Sequence, residues 1–220
     1  MANSTDTVNL ISNLNTQYGE ETANKLVSYI DMVLERNEHI NLTAVRDRDE
    51  AMQKHLADSL AITTLPEYIN ACSVLDVGTG AGFPGALLAI ADPEKNFTLL
   101  DSTRKRLRVI DEFAETLGVS NITTLHARAE EISGKPAYHE QFDLCVSRAV
   151  AGLDTLAGWC LPFVKPGGYF VAYKGENYEA ELSAAKKALN KHKGELVRIE
   201  SPDNPGEEIS GHVLLVIKKK

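Results

Sequence analysis

The segment Ser73-Val-Leu-Asp-Val-Gly-Thr-Gly-Ala-Gly-Phe-Pro-Gly85 constrains this chain more than any other. Its apolar opening, Val74, Leu75 and Val77, reads as a buried strand. Glycines then interrupt it at Gly78, Gly80, Gly82 and Gly85, and a helical pattern resumes through Leu87, Leu88, Ile90 and Ala91. Pro84 stands at the expected first helical position, where a missing N–H costs nothing. Strand, glycine-rich turn and helix start aim backbone N–H groups and the positive end of a helix dipole at a ligand. Glycine provides the positive φ and the close approach such a turn requires. The implied ligand is nucleotide-like.

Two nucleotide classes compete for this turn. Gly80, Gly82 and Gly85 satisfy G-x-G-x-x-G, and Asp101 follows a second apolar run, Phe97-Thr-Leu-Leu100. Both features fit a dinucleotide fold, in which the acid holds ribose hydroxyls. Asp76, two places ahead of the first glycine, departs from it, because dinucleotide folds carry small apolar residues there. The run Asp76-Val-Gly-Thr-Gly-Ala-Gly82 instead resembles motif I of S-adenosylmethionine-dependent methyltransferases. That resemblance implies an acid near the charged methionine end of the ligand.

From Cys72 onward, strand and helix patterns alternate, which implies parallel βαβ units. Strands are expected near 73–78, 96–101, 121–125, 142–147 and 168–173, with helices near 84–91, 103–117, 152–162 and 176–192. The stretches Gly194–Glu200 and His212–Ile217 read as two further strands that can pair antiparallel, with Pro202-Asp-Asn-Pro-Gly206 as loop between them. The expected fold is therefore α/β: a Rossmann-like class I methyltransferase with a seven-stranded, mostly parallel sheet and a C-terminal antiparallel hairpin. Residues 1–70 form an N-terminal helical extension packed on a catalytic domain over 71–220. Within the extension, residues 7–36 are helical with a break at Gly19. A third helix runs from an N-cap at Asp49 to Thr64. It buries Met52, Leu56 and Leu60 and presents His55, Asp58, Ser59 and Ile62 as a separate, mostly polar stripe bordering the site.

Composition narrows the functional classes. No apolar run approaches the ~18 residues of a membrane span. The opening Met-Ala-Asn-Ser-Thr-Asp-Thr has neither the basic nor the apolar part of a secretory signal. Three separated cysteines suggest neither a disulfide framework nor a zinc site. A cytoplasmic protein without a metal is expected. The net charge of −8 argues against nucleic-acid binding by bulk electrostatics, so RNA must be met by a local patch. Arg104-Lys-Arg-Leu-Arg108 is that patch. Its cations oppose the dipole at a helix start, and Arg104 repels Arg108 at i, i+4, which Glu112 offsets only in part. Arg104, Lys105, Arg106 and Arg108 are thus assigned to RNA phosphate, whereas Lys218-Lys-Lys220 reads as a solvated tail.

Other residues complete a site. Asp101 can accept two ribose hydroxyls, leaving Ser102 to cap the following helix. Ala129 and Glu130 stand where backbone N–H and carboxylate can read an adenine edge. Arg148 ends an otherwise apolar strand and must find an anion or acceptors. The Asn/Asp-Pro-Pro-aromatic run of amino-group methyltransferases is absent, as is the Pro-Cys pair of C5-pyrimidine enzymes. No general base stands out. A guanine N7 lone pair attacks a methyl without losing a proton, so placement alone, worth ~7–11 kcal/mol, is compatible with this inventory.

Together, Asn41-Leu-Thr43, His55 with Asp58-Ser-Leu60, Asp76 through Gly85, Asp101-Ser-x-x-Lys-Arg106, Arg128-Ala-Glu130, Ser147-Arg-Ala-Val150, Lys165-Pro-Gly-Gly168 and Lys174-Gly175 resemble the small-subunit ribosomal RNA methyltransferase G family, once called glucose-inhibited division protein B. The resemblance implies methyl transfer from S-adenosylmethionine to N7 of a guanine in 16S rRNA, within the small ribosomal subunit, with no obligate protein partner. It places Gly78, Phe83, Asp101, Ser102, Thr103, Ala129, Glu130 and Arg148 at the cofactor, beside Asp76, Gly80 and Gly82 of the glycine run. Asn41, His55, Asp58, Arg148 and Lys174 fall on the acceptor side. A small-molecule methyltransferase, an NAD-dependent oxidoreductase and a non-catalytic ribosome-binding factor remain as alternatives.

Overall fold

The apolar strands stack into one sheet because each is too hydrophobic to leave either face in water. The computed structural model describes residues 4–201 and 212–220. The loop expected at 202–206 and the first three residues lie outside them. The N-terminal helices are α1 (Ser4–Tyr18) and α2 (Glu20–Asn37). Residues 48–64 run as α3 (Arg48–Ala51), a π-helical stretch (Met52–Ala57), α4 (Asp58–Leu60) and a 3₁₀ turn (Ala61–Thr64), followed by α5 (Pro66–Ile69). Then come β1 (Ser73–Val77), α6 (Gly85–Ala91), β2 (Asn96–Asp101), α7 (Arg104–Leu117), β3 (Ile122–His126), α8 (Ala129–Ile132), β4 (Phe142–Arg148), α9 (Leu153–Cys160), β5 (Val164–Lys174), α10 (Tyr178–Lys191), β6 (Gly194–Glu200) and β7 (Val213–Lys219).

The sheet has seven strands in the order β3-β2-β1-β4-β5-β7-β6. Strands β1 to β5 pair in parallel, and β7 lies antiparallel between β5 and β6. The two sheet faces have separate cores. On one, Leu26, Tyr29 and Ile30 of α2 join Leu87 and Leu88 of α6, Val146 of β4 and Tyr173 of β5. On the other, Leu156 and Cys160 of α9 and Leu189 of α10 cover Cys145, Phe170 and Leu215. Each large apolar side chain buried this way contributes roughly 1.5–3 kcal/mol. The N-terminal helices thus share the same core as the sheet. Among the described residues, no helix is long and apolar enough to cross a membrane.

Several local expectations are corrected. The cap of the 48–64 helix is Asp47, whose Oδ1 accepts the Glu50 N–H at 2.8 Å, while Asp49 accepts the Thr7 hydroxyl from α1 at 2.7 Å. The π-helical stretch shifts the helical phase, and the stripe expected to border the site is largely interior: Asp58, Ser59 and Ile62 are fully buried. Pro84 caps α6, which starts at Gly85. Strand β5 begins at Val164, ahead of the expected 168. Glu112 pairs with Arg36 of α2 at 2.7 Å instead of Arg108. Lys219 is no solvated tail: it is buried, with Nζ on the Leu161 carbonyl at 3.2 Å and near Glu140.

Candidate active site

Strand order reverses between β1 and β4, and ligands of open α/β sheets bind beyond the carboxyl ends of strands at that switch point. The glycine run stands there, and its hydrogen bonds overturn one expectation. The amides of Gly78 and Thr79 are donated to the Leu100 carbonyl, that of Gly80 to Asp101 Oδ2, and those of Gly82 and Phe83 to the Thr79 carbonyl. Gly85 N–H goes to Asp76 Oδ2 at 2.9 Å. These amides hold the loop to itself and to β2 rather than pointing outward. At Gly82, with φ +93°, a Cβ would collide with the Tyr29 hydroxyl, which donates to the Ala81 carbonyl at 2.8 Å. Helix α2 therefore props the loop, and only glycine fits beneath it.

Asp76 is a prop as well. It has no exposed surface, so a direct ligand contact is not available to it in this conformation. Its carboxylate is buried together with the Thr79 hydroxyl, which lies close enough to pull on it. Burial pushes its carboxyl up to about 6, against the opposing pull of the Thr79 hydroxyl, the Gly85 N–H and the Arg148 charge.

On one flank of the loop lies a cleft of about 160 Å³ lined by Val77, Gly78, Leu100, Asp101, Ser102, Ala127 to Glu130, Val150 and Trp159. Asp101, Ser102, Ala129 and Glu130 meet there, as expected. Asp101 is buried, and its other oxygen accepts Thr103 N–H at 2.7 Å. The capping assignment is thereby corrected. Ser102 is exposed, Thr103 occupies the N-cap without a side-chain bond, and Asp101 ties the α7 start to the glycine loop. Ala129 is buried, while the Glu130 carboxylate is partly exposed, 3.8 Å from Arg128. Trp159 is not singled out in the sequence, and Val150 enters only as the end of the Ser147-Arg-Ala-Val150 motif.

On the other flank, a second cluster gathers around Arg148. Its Nη1 donates to Asp58 Oδ2 at 2.8 Å and to the Lys54 carbonyl at 3.0 Å, and its Nη2 lies 3.4 Å from His55 Nδ1. The guanidinium sits over the Phe83 ring, 5.5 Å from its centroid, and His55 stacks on the same ring at 4.5 Å and 18°. His55 Nε2 is 2.7 Å from Thr43 Oγ1. Burial first, then the neighbouring Arg148 charge, push His55 down to about 4. Nδ1 of the ring thus faces a cation, and Nε2 faces the Thr43 hydroxyl. For Asp58, burial acts upward, but His212 and Arg148 overcome it and hold the carboxyl below its ordinary value. His212, not among the residues singled out from the sequence, brings Nδ1 to 2.9 Å from Asp58 Oδ2.

Two expected acceptor-side residues do not join this cluster. Lys174 follows Tyr173, which is register-paired with Arg148 and donates its hydroxyl to the Ser59 carbonyl. Side chains alternate along a strand, so Lys174 faces the opposite way, buried against Ala151 O at 2.6 Å and Glu181 at 2.7 Å. Asn41 is exposed, with no side-chain hydrogen bond; the loop is organised by buried Asn37, which bonds the Leu42 and Thr43 amides and the Thr43 carbonyl. In the basic run, Arg104, Lys105 and Arg108 are exposed, and Arg106 lies half-buried, 4.0 Å from Asp101.

A family model described as rRNA small subunit methyltransferase G matches residues 22–209. The chain belongs to that family. A relative from Alkaliphilus oremlandii, named ribosomal RNA small subunit methyltransferase G, is 42% identical over 207 residues, 94% of this chain and 87% of the relative. One of the same name from Clostridium novyi is 39% identical over 94% of this chain and 85% of its own length. Among solved structures, the fold matches M. jannaschii TYW2 in complex with AdoMet at TM-score 0.56 and 14% identity, covering 74% of this chain and 75% of that one. It also matches a ribosomal protein L11 methylase from Lactobacillus delbrueckii subsp. bulgaricus at 0.54 and 18%, covering 74% and 76%. The architecture is that of class I methyltransferases.

Proposed function

We propose that the chain transfers the methyl group of S-adenosylmethionine to N7 of a guanine in 16S rRNA, in the small ribosomal subunit. The observation that carries this reading is the state of the groups around Arg148. His55, pushed down by burial and the Arg148 charge, has one nitrogen toward Thr43 and the other toward Arg148; Asp58 is fully buried and engaged by Arg148 and His212. Neither is offered to a substrate as a general base. A ring nitrogen that attacks through its own lone pair needs none, and correct placement in a desolvated site supplies the acceleration.

The residues present fit the cofactor. Asp101 and Glu130 offer carboxylates to its hydroxyls and adenine edge, Ala129 offers backbone, Gly78 lines the cleft, and Phe83 packs against Arg148 and His55 beside it. Bound there, S-adenosylmethionine supplies an electrophilic methyl on a sulfonium. A pyrophosphate would need the loop amides that Leu100, Asp101 and Thr79 already accept from; a cationic sulfonium and ammonium do not, which favours this donor over a dinucleotide. Asp76 acts from beneath, by fixing Gly85. Arg148, with an Nη2 hydrogen and Nε–H not used in the contacts above, is placed to orient the guanine or the cofactor's carboxylate. Exposed Arg104, Lys105 and Arg108 supply phosphate contacts on an otherwise acidic protein, and a soluble setting in the cytoplasm accords with that partner.

The test is incubation with radiolabelled S-adenosylmethionine and undermethylated small subunits, followed by nucleoside mass spectrometry. N7-methylguanine in 16S rRNA is expected. Label found only in small molecules, or calorimetric binding of NAD in preference to S-adenosylhomocysteine, would overturn the reading.

A further inference from the structure

Asp58 carries its whole load on one oxygen. Oδ2 accepts from Arg148 Nη1 at 2.8 Å and lies 2.9 Å from His212 Nδ1, while Oδ1 is buried with no hydrogen-bond partner among the described residues. A carboxylate facing a guanidinium ordinarily turns so that both oxygens engage the fork. Here it does not. The pull of His212 from the start of β7 holds Oδ2 between two donors and leaves the guanidinium free to keep the Lys54 carbonyl and face His55. His212 stands two-thirds enclosed against a fully buried acid, and it tethers β7 to the helix that supplies Asp58.

We propose that His212 is a positioning residue for methyl transfer: by holding Asp58 in a one-oxygen contact, it fixes the plane of the Arg148 guanidinium toward the acceptor. This rests on the reading of Arg148 as an acceptor-side group. Without the Nδ1–H donor, the Asp58 carboxylate rotates into a two-oxygen pairing and draws the guanidinium away from Lys54 and His55. Displacements on the order of 1 Å at such a group can cost about 100-fold in rate.

Three variants separate positioning from simple structural support. His212→Ala lowers kcat by ~10-fold or more, with the dissociation constant for S-adenosylhomocysteine and the KM for small subunits changed little. His212→Asn, whose amide N–H occupies the place of Nδ1–H, restores most of the rate. His212→Ala added to Asp58→Asn lowers the rate no further. Nitrogen-15 spectra of the Arg148 side chain give a readout independent of turnover: slow rotation of the guanidinium in the native chain and in His212→Asn, faster rotation in His212→Ala. Native-like kcat in His212→Ala, failure of Asn to rescue, or an unchanged Arg148 spectrum would overturn the proposal. A native chain that shows the Arg148 effect but produces no N7-methylguanine would instead contradict the functional reading and leave the positioning role standing.

Discussion

The two flanks of the glycine loop are built by different means. The proposed cofactor flank is made of short consecutive pieces: Gly78 after β1, Asp101 to Thr103 after β2, and Ala129 with Glu130 after β3. Each is set by the strand it follows, and the loop's amides are bound within it or to β2. The proposed acceptor flank is assembled from side chains brought across long stretches of chain. Arg148 meets Asp58 across 90 residues, and His212 meets it across 154. The first flank is a property of strand ends. The second is an ion-pair network that exists only when the N-terminal helices, β4 and β7 have all docked.

If that contrast is right, Arg148→Ala has the largest effect, and on both stability and rate. It leaves Asp58 as a buried charge short of its cation, a loss of ~3–5 kcal/mol, which thermal denaturation reads directly. Turnover falls with it, while Arg148→Met in an Asp58→Asn background recovers stability without activity. Asp101→Ala breaks the other flank. Charge-assisted hydrogen bonds to ribose are worth ~1.5–3 kcal/mol each, so calorimetry with S-adenosylhomocysteine shows a loss of roughly 10- to 100-fold, and Arg148 contacts persist. Equal damage to both flanks from either variant would erase the distinction.

Neutralising Arg104, Lys105 and Arg108 together touches neither flank. It raises the KM for small subunits and reduces the slope of log affinity against log salt by about 2–3, with S-adenosylhomocysteine binding unchanged. The smallest effect is on Asp76. Its carboxyl is raised to about 6, so the folded state holds a proton that the unfolded state releases, and ionising Asp76 costs stability that is fully incurred above about pH 6. Asp76→Asn, which keeps an acceptor for Gly85 N–H, therefore raises Tm near pH 7.5 by a few degrees, roughly 2–4 °C per kcal/mol in a chain of this length. The gain shrinks as pH falls from about 6 toward 4. A gain that grows on acidification would show that the buried acid stabilises the loop through its charge.

What the sequence revealed follows the same division. The strand and glycine pattern placed the parallel sheet, its antiparallel end and the strand-end residues that meet at the cleft, because those features depend on neighbours a few positions apart. The direction of the loop amides was misjudged, since Leu100 and Asp101, which accept those of Gly78, Thr79 and Gly80, come from the next strand. The polar stripe on residues 55–62 was expected to border the site, and His55 and Asp58 do reach Arg148; the depth of its burial had no local signal, because a π-helical stretch changes the phase and Asp58 finds its partners on β4 and before β7. Lys174 and Tyr173 differ by one position and point to opposite faces. His212 had no local signal at all: it sits ahead of an apolar strand and gains meaning only from the acid it reaches.

The central claim is that the acceptor nitrogen attacks without help from a protein base. Single-turnover methyl transfer to undermethylated small subunits, followed from about pH 6 to about pH 8.5, tests it most directly. The account predicts a rate flat across that range and N7-methylguanine as product. A rate rising with one ionisation near neutrality, or a product methylated on an exocyclic nitrogen, would contradict it.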